Sequence, residues 1–478
     1  MLNISKFFYC KPFDKNSFFL FQICTFVFFF PIIYGGSYYA DDAFRSLTGY
    51  FGWDVLGRFF ARYIAAAYSL NNSFIVDFMP FGYILNMFLI GASAYALYIK
   101  LSSKYNIYAY PLTLMFIFNP FLADNLLYRF DSLGMVFSLF FVVLSFSLKT
   151  SKEGFLLKVL CLVFSLNFYQ TFSNMFIGLV AVETLLLLSS CHGNRKFLKF
   201  ISFNFLVFVV ANFLYFLELR LFGFQSSRGE FLPFDGNLYF SVYKNFVGSF
   251  KPFFDFWFKS SDYILVVLPF VLFSLVKMAF NRNYRSLFGV LICFSIVFVS
   301  GVGFMALLKN QFLAPRGLSY FPVILMALTT VLMMGGKHFK WIMFFPVFVC
   351  FVFVSRVGNM HHIQRDFERP IFLNVTMDLA RLKGDGIESI YSLGAVQSSA
   401  YLYNIAKVTP FNGFVSRGGW NTTGLLQEYG NKSVKFEWTS TETMNKFNSI
   451  KESSKLSIDG SPFYKIYTKD KEGWLIWM

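Results

Sequence analysis

The chain has 478 residues and a formal net charge of +16, yet 56% of its residues are hydrophobic, 22% are aromatic and only 14% are charged. A soluble domain carries about 25% charged residues, so this composition excludes an ordinary water-soluble globule. The basic excess sits in short segments between apolar runs and forms no stripe, which fits membrane-protein loops and argues against nucleic acid as a partner.

In chain order, the first apolar run covers 18–35 and ends at Gly35–Gly36. It is too long for a signal-peptide core and lacks a small-x-small cleavage site, so it is expected to stay as a span. Further runs at 80–99, 108–123, 132–148, 155–171, 174–190, 200–222, 262–280, 286–308, 317–335 and 341–355 are each near bilayer length. Together they predict an α-helical polytopic membrane protein with about 11 transmembrane helices. The pair that meets at Tyr169–Asn174 could also be read as one broken helix.

Orientation follows from the short loops. Lys6, Lys11 and Lys15 precede the first run, and Lys100/Lys104, Lys149/Lys152, Arg195/Lys196/Lys199, Lys277/Arg282/Arg285 and Lys337/Lys340 fall on the same side. The positive-inside rule then predicts a cytoplasmic N-terminus. It leaves the loops 36–79 and 223–261 and the polar tail outside. The expected division is a transmembrane domain over 1–355 and a C-terminal domain over 356–478. Turn signals in the tail, helical patterns near 370–382 and 398–406 and the closing stretch "FYKIYTKDKEGWLIWM" predict a small α/β domain ending in a hairpin.

The six cysteines (Cys10, Cys24, Cys161, Cys191, Cys293 and Cys350) form no CxxC pair and predict no disulfide. His192 and His338 lie in loops. His361 and His362 follow the last run without a third ligand, so no metal site is predicted.

The chemistry collects at one boundary. "YYADDAFRSLTGYFGWDVLGRFF" follows the first run and places Asp41 and Asp42 beside Arg45, Asp54, Arg58 and Arg62. From Val55, Leu56, Phe59, Phe60, Tyr63, Ile64 and Ala67 share one helical face, as expected of a helix lying in the interface. Asp54 and Arg58 are spaced for an i,i+4 pair. A second turn, "FNPFLADNLLYRFDSLGM", brings Asp124, Arg129 and Asp131 to the same boundary, with Asp131 at the start of a run, where an ionisable group points to function. The plain account is that loops need polar residues and an Asp can cap a helix. Two adjacent acids at a low-dielectric boundary are costly unless used, which favours a role. A carboxylate can deprotonate a sugar hydroxyl, and arginines can hold a departing phosphate, as transfer from a lipid phosphate requires.

The segments "YYADDAFRSLTGYFGWDVLGR", "NPFLADNLLYRFDSLGM", "NFYQTFSN" and "APRGLSYFP" resemble the serotype-converting O-antigen glucosyltransferases of temperate phages, and the likeness extends over most of the chain. The first motif is fairly specific, and the others support it. The resemblance implies a GT-C-like fold in the bacterial inner membrane and an undecaprenyl-phosphate-glucose donor. It implies a lipid-linked O-antigen acceptor modified on the periplasmic side, with a companion flippase and a donor-lipid synthase. No organic cofactor is implied, and a divalent metal stays open. Carried onto this chain, Asp41 or Asp42 is the expected general base. Arg45 and Arg58 are expected at the donor phosphate or bracing the acids, Asp124, Arg129 and Asp131 on the opposite wall, and Gln170 and Arg316 at ends of later spans.

The plain alternatives are an Asp54 partner for Arg58, a helix-capping role for Gln170 and a headgroup anchor at Arg316. Trp53, Trp420 and Tyr429 are candidates to stack on sugars, although Trp and Tyr gather at interfaces anyway. The loop-like stretch with Arg417, Trp420 and Asn421 suits acceptor contact or a purely structural loop. An O-antigen polymerase and a lipid-linked saccharide flippase are the rival functions. The flippase would place charges near the midplane and show a repeat, and this sequence does neither.

Overall fold

A computed structural model describes residues 9, 12–189, 194–223, 230–260, 265–309, 314–408, 414, 418–438, 440–453 and 455–478. Cys10, Cys191, His192 and Arg417 lie outside these. The chain opens with α1 (Lys15–Gly35), α2 (Asp42–Thr48), α3 (Phe59–Ser69), α4 (Phe81–Lys104), α5 (Asn106–Ile117) and α6 (Leu122–Leu127). It continues with α7 (Ser132–Ser147), α8 (Lys152–Phe168), α9 (Ser173–Ser189), α10 (Asn194–Leu221), α11 (Leu238–Ser260) and α12 (Val267–Phe280). Then come α13 (Tyr284–Val302), α14 (Phe321–Gly335) and α15 (Phe344–Gly384).

Seven helical segments among the described residues are long and apolar enough to cross a membrane, and α5, α7 and α12 are shorter apolar helices. Each run predicted from the sequence falls on a helix, although bilayer length is reached by fewer than the eleven expected. The uncertain pair is two helices, α8 and α9, broken by a 3-10 turn over Gln170–Phe172.

Local chemistry sets the helix ends. The Asp14 side chain accepts the Ser17 N–H at the start of α1, and Ser151 does the same for Gly154 at α8. Gly49 closes α2 at φ +68°, where an L side chain is strained, and a Cβ there would strike the Phe74 ring. The helix expected from Val55 onward begins at Phe59 as α3, because Gly57 at φ +68° separates it from the 3-10 turn over Asp54–Leu56.

Helices α1 and α15 cross closely because both carry glycine at the contact. A Cβ on Gly358 would lie 2.2 Å from the Pro31 carbonyl oxygen, and one on Gly35 would lie 2.8 Å from the Gly358 oxygen. At one end of the bundle, Lys100 and Lys104 pair with Glu183, and the charge of Lys158 lies near it. Lys100 Nζ lies 2.7 Å from Glu183 Oε2 and Lys104 Nζ 2.9 Å from Oε1. Lys100 donates to Phe146 O at 2.6 Å and Lys158 to Ser145 O at 2.8 Å, so two cations satisfy carbonyls at the C-terminal end of α7. Lys100, counted from sequence as a loop charge, is buried; the helix runs on past it to Lys104.

At 1.5 Å per residue the 41 residues of α15 extend about 60 Å, twice a hydrocarbon core. The helix therefore continues from the apolar bundle straight into the polar tail. There it is followed by β1 (Ser389–Leu393), α16 (Ala400–Val408), α17 (Gly419–Glu428), β2 (Val434–Phe436), α18 (Thr441–Ser453), β3 (Lys455–Gly460), β4 (Tyr464–Lys469) and β5 (Glu472–Trp477). The five strands form one sheet in the order β2-β1-β5-β4-β3. The β2-β1-β5 pairs are parallel and β5-β4-β3 antiparallel, so β4 and β5 make the predicted hairpin. Ile371, Phe372, Val375, Leu379 and Leu382 of α15 pack into the core beneath the sheet.

Candidate functional site

Asp41 and Asp42 open α2, and one residue along a helix turns the side chain by about 100°, so the two carboxylates diverge. Asp42 points inward and is fully buried. Its carboxylate accepts the backbone N–H groups of Tyr39 at 3.0 Å, Arg129 at 3.0 Å and Phe130 at 3.4 Å. The Asp41 side chain keeps 29% of its surface accessible, and its Oδ2 lies 3.2 Å from Arg45 Nη2.

Arg45 joins the two acidic segments. Its Nε lies 3.3 Å from Asp131 Oδ2, and its Nη1 donates to the carbonyls of Tyr50 and Phe51. The rings of Tyr50 and Trp53 lie 4.8 and 4.3 Å from its guanidinium carbon. Trp53 is itself buried and donates its indole N–H to Asp131 Oδ1 at 2.5 Å. Its place is therefore inside the arginine cage and not on a surface open to a sugar ring. Burial pushes the carboxyls of both Asp41 and Asp42 above the usual range; the charge of Asp131 adds to the effect on Asp41, and Arg45 opposes it.

A second group comes from later turns. Gln170, in the 3-10 turn before α9, donates from Nε2 to Leu56 O at 2.9 Å and to the Tyr215 hydroxyl at 2.7 Å. Its Oε1 accepts Arg58 Nε at 3.2 Å, and the Arg58 guanidinium carbon lies 4.5 Å from the Tyr169 ring centroid. Burial lowers the pKa of Arg58. No carboxylate lies within ion-pairing distance of Arg58 among the described residues. The expected Asp54–Arg58 pair is not formed: the left-handed turn at Gly57 interrupts the helix, and Asp54 pairs instead with Arg62 at 2.9 Å.

Asp124 on α6 is buried, and its Oδ2 accepts the Arg316 backbone N–H at 2.9 Å. Burial raises its pKa, and the nearby Arg316 works the other way. The Arg316 guanidinium carbon sits 4.5 Å from the Tyr128 ring centroid. Arg58 and Arg316 are close enough for their charges to act on each other, and Asp131 and Tyr169 neighbour both. Asp41 also feels Arg316.

The structure thus brings Asp41, Arg45, Trp53, Asp131, Arg58, Gln170, Asp124 and Arg316 to one end of the bundle. Arg129 faces another side of α2: its Nη2 lies 2.7 Å from Asp77 Oδ2 and its guanidinium carbon 5.1 Å from the Tyr38 ring centroid. Asp77, Tyr38, Tyr128 and Tyr169 escaped the sequence reading. Asp77 stands alone in a loop, and nothing local distinguishes these tyrosines from interfacial ones.

The C-terminal domain covers this end. Phe44 of α2 stacks with Trp420 of α17 at 5.8 Å, and Ser46 donates to the Glu428 carboxylate. His361 is buried; its Nε2 pairs with Phe414 O at 2.8 Å and its Nδ1 with the Ser37 hydroxyl at 3.4 Å, fastening the loop before Asp41. His362 turns to Arg365 and Asp366. Asn421 is buried within α17, and the Tyr429 ring packs on Phe372.

The family model described as Glucosyl transferase GtrII matches residues 30–355, which hold every residue of the cluster around Asp41. A Salmonella phage P22 protein, described as an uncharacterized 55.3 kDa protein in the gtrB 5'region, is 30% identical over 119 residues. That alignment takes in 25% of this chain and 24% of the phage protein, so the match spans about a quarter of the relative's length. No solved structure matches the chain.

Proposed function

From the premise that the chain belongs to the Glucosyl transferase GtrII family, we propose that it moves a glucosyl group from undecaprenyl-phosphate-glucose to O-antigen repeat units, at the periplasmic face of a bacterial inner membrane. In this reading the bundle is GT-C-like, and Asp41 is the general base. An acceptor hydroxyl gives its proton to the Asp41 carboxylate while its oxygen bonds to C1 of the donor glucose. The bond from C1 to the phosphate oxygen breaks in the same displacement, and polyprenyl phosphate leaves with the electron pair. Arg58 and Arg316 meet the charge of that departing phosphate. A flippase and a donor-lipid synthase would supply the donor on the correct side.

One contrast carries the assignment of the base. Asp42 is buried and holds three backbone N–H groups, whereas Asp41 keeps an accessible face beside two arginines. A raised pKa suits a carboxylate that must take up a proton. Support for the phosphate site comes from Arg58, a half-buried cation without an ion-pair partner among the described residues.

The test is Asp41→Asn in membranes supplied with donor and acceptor. Removal of a general base costs about 10²–10⁴-fold in rate, so glucosylated O-antigen is expected to fall by that factor with membrane insertion unchanged. Full activity in this variant overturns the base assignment. Sustained donor translocation in vesicles lacking acceptor overturns the transferase reading in favour of a flippase.

A further inference from the structure

Beside the base, on the face of α2 turned toward the C-terminal domain, polar and aromatic groups from four parts of the chain meet. Tyr38 precedes α2, and its hydroxyl lies near Ser46. Asp77 and Glu428 both act on Tyr38, and they are close enough for Asp77 to repel the Glu428 charge. The Asp77 side chain retains 23% exposure and that of Arg129 21%, while Glu428 is exposed. Arg129 Nε, by contrast, is buried and donates to nothing among the described residues. The half-buried Trp420 lies about two helical turns before Glu428 on α17, stacked on Phe44. Next to it, Gly419 abuts Phe436, whose ring meets that of Trp438, 71% exposed at the domain surface.

None of these groups is used by the transfer chemistry. A stability role explains the Asp77–Arg129 pair and the Ser46–Glu428 bond but not the exposed Trp438. Carboxylates that accept paired hydroxyls, a guanidinium, a tyrosine and indole faces are the chemistry that recognises an uncharged saccharide. Asp42 ties this patch to the base, because the same carboxylate that opens α2 accepts the Arg129 backbone N–H.

We propose that the seam between α2 and the C-terminal domain is a saccharide-binding subsite, in which Asp77, Arg129 and Glu428 bond sugar hydroxyls and Trp420 presents a stacking face. It rests on the transferase reading and deepens it: the saccharide is the acceptor, and the C-terminal domain, beyond the region the family model matches, selects it.

The experiment measures binding without turnover. The probe is O-polysaccharide released by mild acid from the lipopolysaccharide the enzyme modifies, titrated into purified Asp41→Asn protein in detergent. Glu428→Gln and Trp420→Ala are then added singly to that background, with melting temperature recorded for each. Loss of one hydrogen bond to a charged group is worth about tenfold, and loss of an aromatic stacking face about the same, so each addition is expected to weaken binding about tenfold. In the active parent the same substitutions are expected to raise the acceptor KM while leaving the donor KM unchanged. Unweakened binding in folded Glu428→Gln protein overturns the subsite and leaves the transferase reading standing. Absence of binding even to Asp41→Asn alone overturns the acceptor class itself, and the subsite with it.

Discussion

The Asp42 carboxylate accepts the backbone N–H of Arg129 at 3.0 Å, fastening together two segments 87 positions apart. With the N–H groups of Tyr39 and Phe130 on the same carboxylate, Asp42 is the pin that sets the start of α2 against the turn before α7. Asp42→Ala orphans all three donors, and an unsatisfied buried donor costs about 1–3 kcal/mol. The expected outcome is a clear drop in melting temperature in detergent, with Asp42→Asn intermediate because its carbonyl still accepts. Asp41→Asn is expected to melt like the parent. Equal melting of Asp42→Ala and parent defeats the pinning role.

Arg58 and Arg45 predict opposite phenotypes despite their proximity. Arg58 has no carboxylate partner among the described residues, so Arg58→Gln strands no buried anion, and the fold is expected to survive. Its effect is expected on the donor: KM for the polyprenyl-phosphate sugar rises about tenfold or more, with little recovery in Arg58→Lys, which lacks the planar fork. Arg45→Gln leaves Asp41 and Asp131 facing each other without their shared cation. Breaking a buried pair costs about 3–5 kcal/mol, so this variant is expected to accumulate poorly in the membrane. Folding yield and donor KM, measured together, separate the two roles.

The Asp-Asp motif was visible in the sequence because paired acids after an apolar run are anomalous. Which of the two faces outward was not, since the answer depends on the orientation of α2 against Arg129 and Phe130. The helices were legible from hydropathy because the bilayer imposes apolar runs. Asp54–Arg58 misled because i,i+4 spacing counts only in a continuous helix, and the positive φ of Gly57 ends it. Lys100 reads as a loop charge by its position, although Glu183, inside the apolar stretch "LVAVETLLLL", signals that a cation has to be buried nearby. The seam around Asp77 and Glu428 had no local signature, because its residues are more than three hundred positions apart.

The pH dependence of the reaction should report Asp41. A general base acts only when ionised, so activity is lost as pH falls through its raised pKa. The acid limb of kcat/KM is therefore expected above the ordinary carboxylate range of about 4. Asp131 contributes to that elevation, and Asp131→Asn removes its charge; the limb is expected to move to lower pH. The stability contribution has the opposite sense. A carboxyl raised on folding holds its proton more tightly in the native state, so this group's share of stability declines as pH rises through the same window. A limb that stays in place in Asp131→Asn, or moves upward, argues that another group is being titrated.

At the far end of the bundle, Glu183 offers a stability prediction that leaves the chemistry untouched. Its carboxylate is buried against Lys100 at 2.7 Å and Lys104 at 2.9 Å. Glu183→Gln removes the only carboxylate that pairs with these lysines among the described residues, at an expected cost of about 3–5 kcal/mol. Lys100 would then keep only the Phe146 carbonyl and the rings around it. Replacing both members of the pair, Glu183→Leu with Lys100→Met, leaves neither charge unpaired; such exchanges are often neutral or stabilising, so the double variant is expected to recover much of the loss. Denaturation of the parent, Glu183→Leu, Lys100→Met and the double variant in detergent gives the coupling between the sites. Activity per folded molecule is expected to match the parent throughout, because the cluster lies at the end of the bundle away from Asp41. Additive losses with no recovery in the double variant would mean that the α7 carbonyls, and not the ion pair, set the value of Lys100.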